Sequence, residues 1–290
     1  MKQIAEEAAP STKRRLGVQD LNGKVALISG DAGGIGAAIG QHLVNAGARV
    51  AVADLDATRA HQLAESLGDR AIALQLDVAD EASWFPARNA LESGLGPCDI
   101  LISNAGVSYT GALDEISAQA WRWVYDVNVV GSLHGVRTFL PGMKARGREA
   151  HVALTSSITA LHPFPEQGAY TTSKAARLNF ASVLKRELAN YPVGVSVICP
   201  GTVDTHIREN AVRARPTALT ENFRTPSLST KLGMSADFVG RAVVEAIRQN
   251  RFYVFTHADY AASVASDRDH MLAEMSLSAD PNYREPVMFT

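Results

Sequence analysis

Tyr170 and Lys174 stand four residues apart in the run GAYTTSKAARL, a spacing that puts both side chains on one face of a helix. A phenol of ordinary pKa ~10 is a poor base near neutrality, but an adjacent ammonium stabilises phenolate and lowers that pKa. A pair so placed can exchange a proton with a substrate oxygen. The same spacing also occurs where a surface tyrosine lies over a lysine stem, so the pair alone leaves both readings open. A second group of residues suits phosphate. Ser29-Gly30-Asp31-Ala32-Gly33-Gly34-Ile35-Gly36 follows an apolar run, and its glycines let the backbone approach a ligand and take positive φ. A helix beginning near Gly34 would aim free N–H groups at that turn, where a pyrophosphate could sit. The spacing is G-x-x-x-G-x-G, and a tight strand-to-helix corner is its plainer reading. Asp54-Leu55 closes the next apolar run about 20 residues on, where a carboxylate accepts hydrogen bonds from an adenosine ribose. That anion repels a 2′-phosphate and Asp31 adds a second negative charge, so the reading is NAD rather than NADP. Capping of the next helix would also explain Asp54, although Asp56 is better placed for it.

These residues need elements that bring them together. KVALIS (24–29), ARVAVAD (48–54), AIALQLD (71–77), DILIS (99–103), HVALTS (151–156), GVSVIC (194–199) and RFYVF (251–255) read as strands, each too apolar to be half-exposed. Helical patterns lie between them. Ile35, Ile39, His42, Leu43 and Ala46 share a face ended by Gly47, and DATRAHQLAESLG runs from Asp56 to Gly68. Ser235 caps a later helix that buries Phe238, Val239, Ala242, Val243, Ala246 and Ile247. Strand-helix alternation with right-handed crossovers predicts an α/β chain built on one Rossmann-like doubly wound parallel sheet of about seven strands flanked by helices, with ligands beyond the strands' carboxyl ends. Residues 1–20 form a polar N-terminal extension and 21–290 the single domain, in which 202–233 is an irregular stretch and 257–290 a C-terminal extension.

Composition narrows the functions. Of 290 residues 46% are apolar and 20% charged, which excludes wholesale disorder. With 28 Lys and Arg against 30 Asp and Glu the net charge is −2, too small to grip nucleic acid or an anionic membrane. Glu6, Glu7 and Lys13–Arg15 interrupt any signal-peptide core. The Arg14-Arg15 pair lacks the uncharged stretch that an export signal needs, since Asp20, Asn22 and Lys24 follow. No run of about 18 apolar residues occurs. Cys98 and Cys199, far apart and without neighbouring metal-ligand partners, read as buried apolar residues in a reducing compartment. The expectation is cytoplasmic, with no membrane or nucleic-acid partner. His206, His257 and His270 are scattered and no zinc spacing occurs, so no metal is expected.

From about residue 21 to 256 the chain resembles a classical short-chain dehydrogenase/reductase. The Ser29-to-Gly36 turn is similar to that family's T-G-x-x-x-G-I-G, with Gly30, Gly34 and Gly36 on its glycines, while Asp77-Val78 and Asn104-Ala105-Gly106 match two further cofactor-contacting motifs. Ser103 stands where many members carry an asparagine. Ser157, thirteen positions before Tyr170, falls on the family's active serine, and Asn128 on its asparagine. Pro200-Gly201-Thr202-Val203-Asp204-Thr205 resembles P-G-x-V-x-T, and residues to about Gly233 sit where the family places its substrate lid. The resemblance implies catalytic roles for Asn128, Ser157, Tyr170 and Lys174. Tyr170 would exchange the proton, Ser157 bond the substrate oxygen, Lys174 hold the nicotinamide ribose, and Asn128 seat a water. It implies NAD contacts for Gly30, Gly33, Gly34, Ile35, Gly36, Asp54, Leu55, Asp77, Val78, Asn104, Ala105, Gly106, Tyr170, Lys174, Pro200, Gly201, Val203 and Thr205.

Thr159, Leu161, Phe164, Pro165, Val107, Tyr109 and Ile207 are the pocket candidates, and few fixed charges join them. A hydrophobic or aromatic secondary alcohol or its ketone is the expected small-molecule substrate. The tail is loosely similar to those of dehydrogenases that oxidise benzylic alcohols. Trp121 to Val136 and the Tyr170 helix are apolar on more than one side, which fits a homodimer or homotetramer. The competing reading is a non-catalytic NAD-sensing or scaffolding protein on the same fold.

Overall fold

Val25 and Leu27 point to one side of their strand and Ala26 and Ile28 to the other, and all four are buried. A strand apolar on both faces must be covered on both. The computed structural model describes residues 17–30, 32–219 and 233–278 and provides that cover. Expectations for 1–16, Asp31, 220–232 and 279–290 lie outside the described residues.

Seven parallel strands, β1 (Val25–Ser29), β2 (Arg49–Asp54), β3 (Ala71–Gln75), β4 (Ile100–Ser103), β5 (Ala150–Thr155), β6 (Val193–Cys199) and β7 (Tyr253–Phe255), form one sheet in the order β3-β2-β1-β4-β5-β6-β7. This is the expected doubly wound, Rossmann-like arrangement. Helices α1 (Ile35–Asn45), α2 (Ala57–Leu67) and α8 (Ala236–Gln249) bury Ile39, Leu43, Ala60 and Val243 against one face. Helices α3 (Glu81–Gly94), α5 (Gly131–Arg146) and α6 (Gly168–Glu187) bury Trp84, Phe139 and Leu178 against the other. The chain leaves β1 toward β2 on one side and returns to β4 on the other. Connections after β1 and β4 therefore diverge and open a crevice at the strands' carboxyl ends.

Several expectations are corrected. The outer strands are half-exposed: β3 is only partly buried, and Tyr253 and Phe255 of β7 are 48% and 49% exposed, because each edge strand has one neighbour and incomplete helical cover. Strand β3 stops at Gln75, so Asp77 lies in the following turn, where its carboxylate accepts the Ala79 N–H. Phe238 is 41% exposed beside the Arg241 guanidinium, outside the buried stripe of α8 formed by Val239, Val243 and Ile247. His42 rides the rim of α1's apolar face and pairs with Asp237 at 2.8 Å. The helix read as continuous from Trp121 to Val136 is α4 (Ala118–Tyr125), a π-helical turn (Asp126–Val130) and then α5. Cys98 and Cys199 are buried free thiols, as expected, and burial pushes both up to about 12.

His151 of β5 is fully buried. Its Nε2 donates to Ser196 Oγ at 2.9 Å, since that hydroxyl donates to the Arg251 carbonyl at 2.6 Å. Burial pushes the imidazole down to about 3. The folded state therefore excludes a proton that the unfolded chain binds below its ordinary pKa of 6.5, and stability falls as pH drops from 6.5 toward 3. At pH 5 this group should cost about 2 kcal/mol relative to pH 8. Urea unfolding at both pH values checks it: His151→Gln should flatten the acid-side loss, and an unchanged slope would remove His151 as its source.

Candidate active site

The register sets the site. Ser29 pairs with Ser103 and Ser103 with Leu154, so Gly30, Asn104 and Thr155 leave the sheet side by side. Short side chains connect them. Asn104 Nδ2 donates to the Gly30 carbonyl at 3.1 Å, and Thr155 Oγ1 donates to Asn104 Oδ1 at 3.0 Å. The Ser29 hydroxyl accepts the Asn104 N–H at 3.2 Å. Gly30 has φ +75°, and a Cβ there would lie 2.4 Å from Ala105 Cα, so only glycine permits this approach.

Beyond this row α6 presents Tyr170 and Lys174. Lys174 is buried, and its Nζ donates to the Thr155 carbonyl at 3.0 Å and lies 5.3 Å from the Tyr170 ring centre. The phenol is within hydrogen-bonding reach of Ser157, which follows β5 and caps the short turn Ile158–Ala160. Asn128 lies in the π-helical turn, fully buried. Its Oδ1 accepts the Val107 N–H at 2.8 Å, and its Nδ2 donates to Val107 O and Ser173 Oγ.

A cavity of about 1120 Å³ contains the site. That exceeds the ~300–1,000 Å³ usual for small-molecule sites and leaves room for a dinucleotide and a second small molecule. Its walls include Gly30, Ile35, Asp54, Leu55, Asp77, Val78, Asn104, Ala105, Gly106, Pro200, Gly201, Val203 and Thr205, together with Ser157, Tyr170 and Lys174. Gly33, Gly34, Gly36 and Asn128 are not on its walls. A nicotinamide dinucleotide fits these residues. The N-terminus of α1 has no side-chain cap, leaving its first N–H groups for phosphate oxygens. Asp54 is buried, with one oxygen on the Ala32 N–H and the other on the Asp56 N–H, and it faces the cavity. Asp56, not Asp54, caps α2.

Charge here departs from expectation in two ways. Lys174 was to acidify Tyr170, yet burial pushes the phenol up. The opposing influences are Ser157 and the cation of Arg177, one helical turn beyond Lys174. Lys174 itself is pushed well down, by burial first and then by Arg177. Nor is the pocket nearly free of fixed charge. Arg59 of α2, Arg122 of α4, Asp126 of the π-helical turn and Arg208 and Arg213 of α7 (Ile207–Arg213) line it, each from an element whose end borders the cavity. Among the apolar candidates Val107, Tyr109, Phe164 and Ile207 line the cavity, as does Thr159, whereas Leu161 and Pro165 do not.

Other contributors had no local signal. His257 accepts the Gly201 N–H at 3.1 Å and donates from Nε2 to the Thr202 carbonyl at 3.0 Å, pinning the Pro200-Gly201 turn from 56 residues away. Tyr260 lines the cavity and packs edge-on against Phe164. Behind it, His162 pairs with Asp267 of α9 (Ala261–Ser278) at 2.6 Å.

A doubly wound sheet with an uncapped helix terminus, a cavity-facing carboxylate and a buried tyrosine-lysine pair in one crevice defines a nicotinamide-dependent oxidoreductase architecture. Residues 24–216 match the family model described as short chain dehydrogenase. The 1-deoxy-11-beta-hydroxypentalenate dehydrogenase of Streptomyces avermitilis is 32% identical over 82% of this chain and 86% of that protein. The NADP-dependent (R)-specific alcohol dehydrogenase of Lentilactobacillus kefiri is 30% identical over 71% of this chain and 83% of its own length. Among solved structures, a short-chain dehydrogenase/reductase from Burkholderia phymatum in complex with NAD superposes with TM-score 0.80 at 32% identity, covering 92% of this chain and 99% of that one. The chain belongs to the short-chain dehydrogenase/reductase family of oxidoreductases.

Gly30→Ala forces a Cβ into Ala105 at positive φ, and should cost at least about 1–2 kcal/mol in stability and weaken dinucleotide binding. Thermal melts and NADH fluorescence titration measure both; a variant unchanged in each would contradict the close approach.

Proposed function

We propose that the protein is an NAD-dependent oxidoreductase that moves hydride between nicotinamide and a hydrophobic or aromatic secondary alcohol or its ketone. The observation that carries this is the sharing of one cavity by Gly30 and Asp54 at one end and Ser157, Tyr170 and Lys174 at the other. Bound NAD supplies the hydride acceptor. Ser157 orients the substrate oxygen toward the Tyr170 oxygen, which as phenolate takes the alcohol proton during oxidation and as phenol returns it during reduction. Lys174, tethered at Thr155, holds the ribose hydroxyls and passes the proton onward, helped by a water seated near Asn128 Oδ1. Oδ1 and Lys174 Nζ both lie 3.2 Å from the Cβ position of Gly106. Asp54 favours NAD, since a 2′-phosphate would meet its carboxylate. The apolar walls at Val107, Tyr109, Trp123, Phe164 and Tyr260 favour a hydrophobic carbinol over a small polar one. Exposed Leu133 of α5 and Val183 of α6 support assembly into a homodimer or homotetramer. No helix among the described residues is long and apolar enough to cross a membrane.

Steady-state assays with a panel of aryl and alicyclic secondary alcohols should give NADH formation, with NAD preferred over NADP in kcat/KM. Tyr170→Phe should lower kcat by ~10²- to 10⁴-fold while NADH still binds. A fully active Tyr170→Phe enzyme would remove the proton-transfer role, an NADP preference would remove the Asp54 reading, and NADH binding without turnover of any alcohol would favour the sensing alternative. Sedimentation velocity at micromolar concentration should show a dimer or tetramer that Leu133→Glu with Val183→Glu dissociates; a monomeric parent would reject the assembly.

A further inference from the structure

Arg177 plays no part in the proton transfer described above, yet it is among the most deeply enclosed charged side chains, at 1% exposure. It follows Tyr170 and Lys174 on one face of α6, at i+7 and i+3 from them. Its Nε donates to Ser132 Oγ at 2.8 Å and its Nη1 to the Thr155 carbonyl at 2.8 Å. Its Nη2 reaches Ser103 Oγ at 3.2 Å and the Ala105 carbonyl at 2.9 Å. Every partner is a hydroxyl or a carbonyl. A buried cation without a counter-ion is a poor source of stability, and apolar residues of similar volume often replace buried ions at no cost. What the geometry does give is position. The Thr155 carbonyl that receives Arg177 Nη1 also receives Lys174 Nζ, and a Cβ on Gly106 would lie 3.2 Å from Lys174 Nζ and 3.8 Å from Arg177 Nη1. The guanidinium thus backs the Asn104-to-Gly106 turn without itself lining the cavity. Ser103, short where the family resemblance leads one to expect asparagine, provides the hydroxyl that Arg177 Nη2 reaches.

We infer that Arg177 is a positioning residue for the proposed reaction, a permanent buried cation that holds the Asn104-to-Gly106 turn in register with Lys174 and supplies positive charge beneath the Tyr170–Lys174 pair. The inference rests on the reading of Tyr170 as the proton-transfer group. Burial opposes ionisation of the phenol, and the Arg177 charge is one of the two influences that favour it. The same charge favours the neutral amine at Lys174. Arg177, pulled down by burial to about 10, stays protonated at neutral pH. The other titratable groups on the elements packed against α6 do not supply this charge. Cys199 of β6, beside Lys174, is a neutral thiol, and His151 at the start of β5 is neutral. Asp126 of the π-helical turn and Arg122 of α4 lie on the cavity wall, and Tyr125 stacks on Trp121.

The test is the pH profile of kcat for alcohol oxidation in the parent, Arg177→Lys, Arg177→Gln and Arg177→Met. Phenolate is the active base, so loss of the cation should move the acid limb upward by about one pH unit or more in the two neutral variants. Arg177→Lys should keep the limb near its parental position. Met strands no polar group of its own at this buried position, which keeps a neutral variant available if Gln fails to fold. Folded neutral variants whose acid limb matches the parent would overturn the inference. So would failure of both neutral variants to fold while Arg177→Lys folds, since the positive charge would then be a requirement of folding. Activity retained by Tyr170→Phe is a separate outcome that removes the Tyr170 reading whatever Arg177 does.

Discussion

A line of short hydrogen bonds across the carboxyl end of the sheet ties the cofactor corner to the reacting residues. It runs from the Gly30 carbonyl through the Asn104 amide to the Thr155 hydroxyl, and from the Thr155 carbonyl to both Lys174 and Arg177. Each link needs the strands to end level. Parallel pairing of β1, β4 and β5 puts Gly30, Asn104 and Thr155 in one row, and a one-residue slip of any strand would turn its side chain to the opposite face. The glycine corner is part of the same line, because Gly30 packs onto Ala105 too closely for any Cβ. For the proposed reaction, cofactor anchoring and proton-transfer geometry are therefore one constraint.

The electrostatic consequence follows from where that line ends. Two cations meet one carbonyl in a region whose other polar groups are hydroxyls, an amide and a thiol. Burial works against charge on both Tyr170 and Lys174, raising the phenol and lowering the ammonium. From ordinary values of 10.0 and 10.5 the two groups move in opposite directions, so the phenol holds its proton more tightly than the amine does, and the Ser157 hydrogen bond and the Arg177 charge are the influences that ease ionisation of the phenol. Arg177, pulled down to about 10, stays protonated at neutral pH and acts there as a fixed source of potential.

The sheet and much of the site could be read from the chain because their signals are local. Apolar runs on a two-faced strand, glycines at a strand-to-helix corner and the Tyr170/Lys174 spacing each concern a few consecutive residues. Long-range juxtapositions had no such signal. Arg177 looks in sequence like any polar helix residue, and only the fold shows that its neighbours are Ser103, Ser132 and Thr155, from three other elements. His257 and Gly201 meet because β7 lies beside β6. The π-helical turn that carries Asn128 reads as ordinary helix, since its side chains keep an apolar pattern while the backbone gains a residue. Strand exposure at β3 and β7 depended on sheet order, which composition cannot supply.

The two halves of the cavity are built differently. The dinucleotide half uses strand ends and the start of α1, which belong to the most buried part of the protein. The other half is walled by segments after β4, β5, β6 and β7, held together by side-chain pairs such as His162–Asp267 and by Phe164 against Tyr260. Helix α7 bridges the halves: Asn210 Oδ1 accepts from Arg59 of α2 at 2.8 Å and from Arg213 at 2.7 Å. Connections of this kind rest on a few exposed polar contacts and so open at lower free energy than core strands. The row at Gly30, Asn104 and Thr155 depends on none of these contacts, being set by the pairing of β1, β4 and β5.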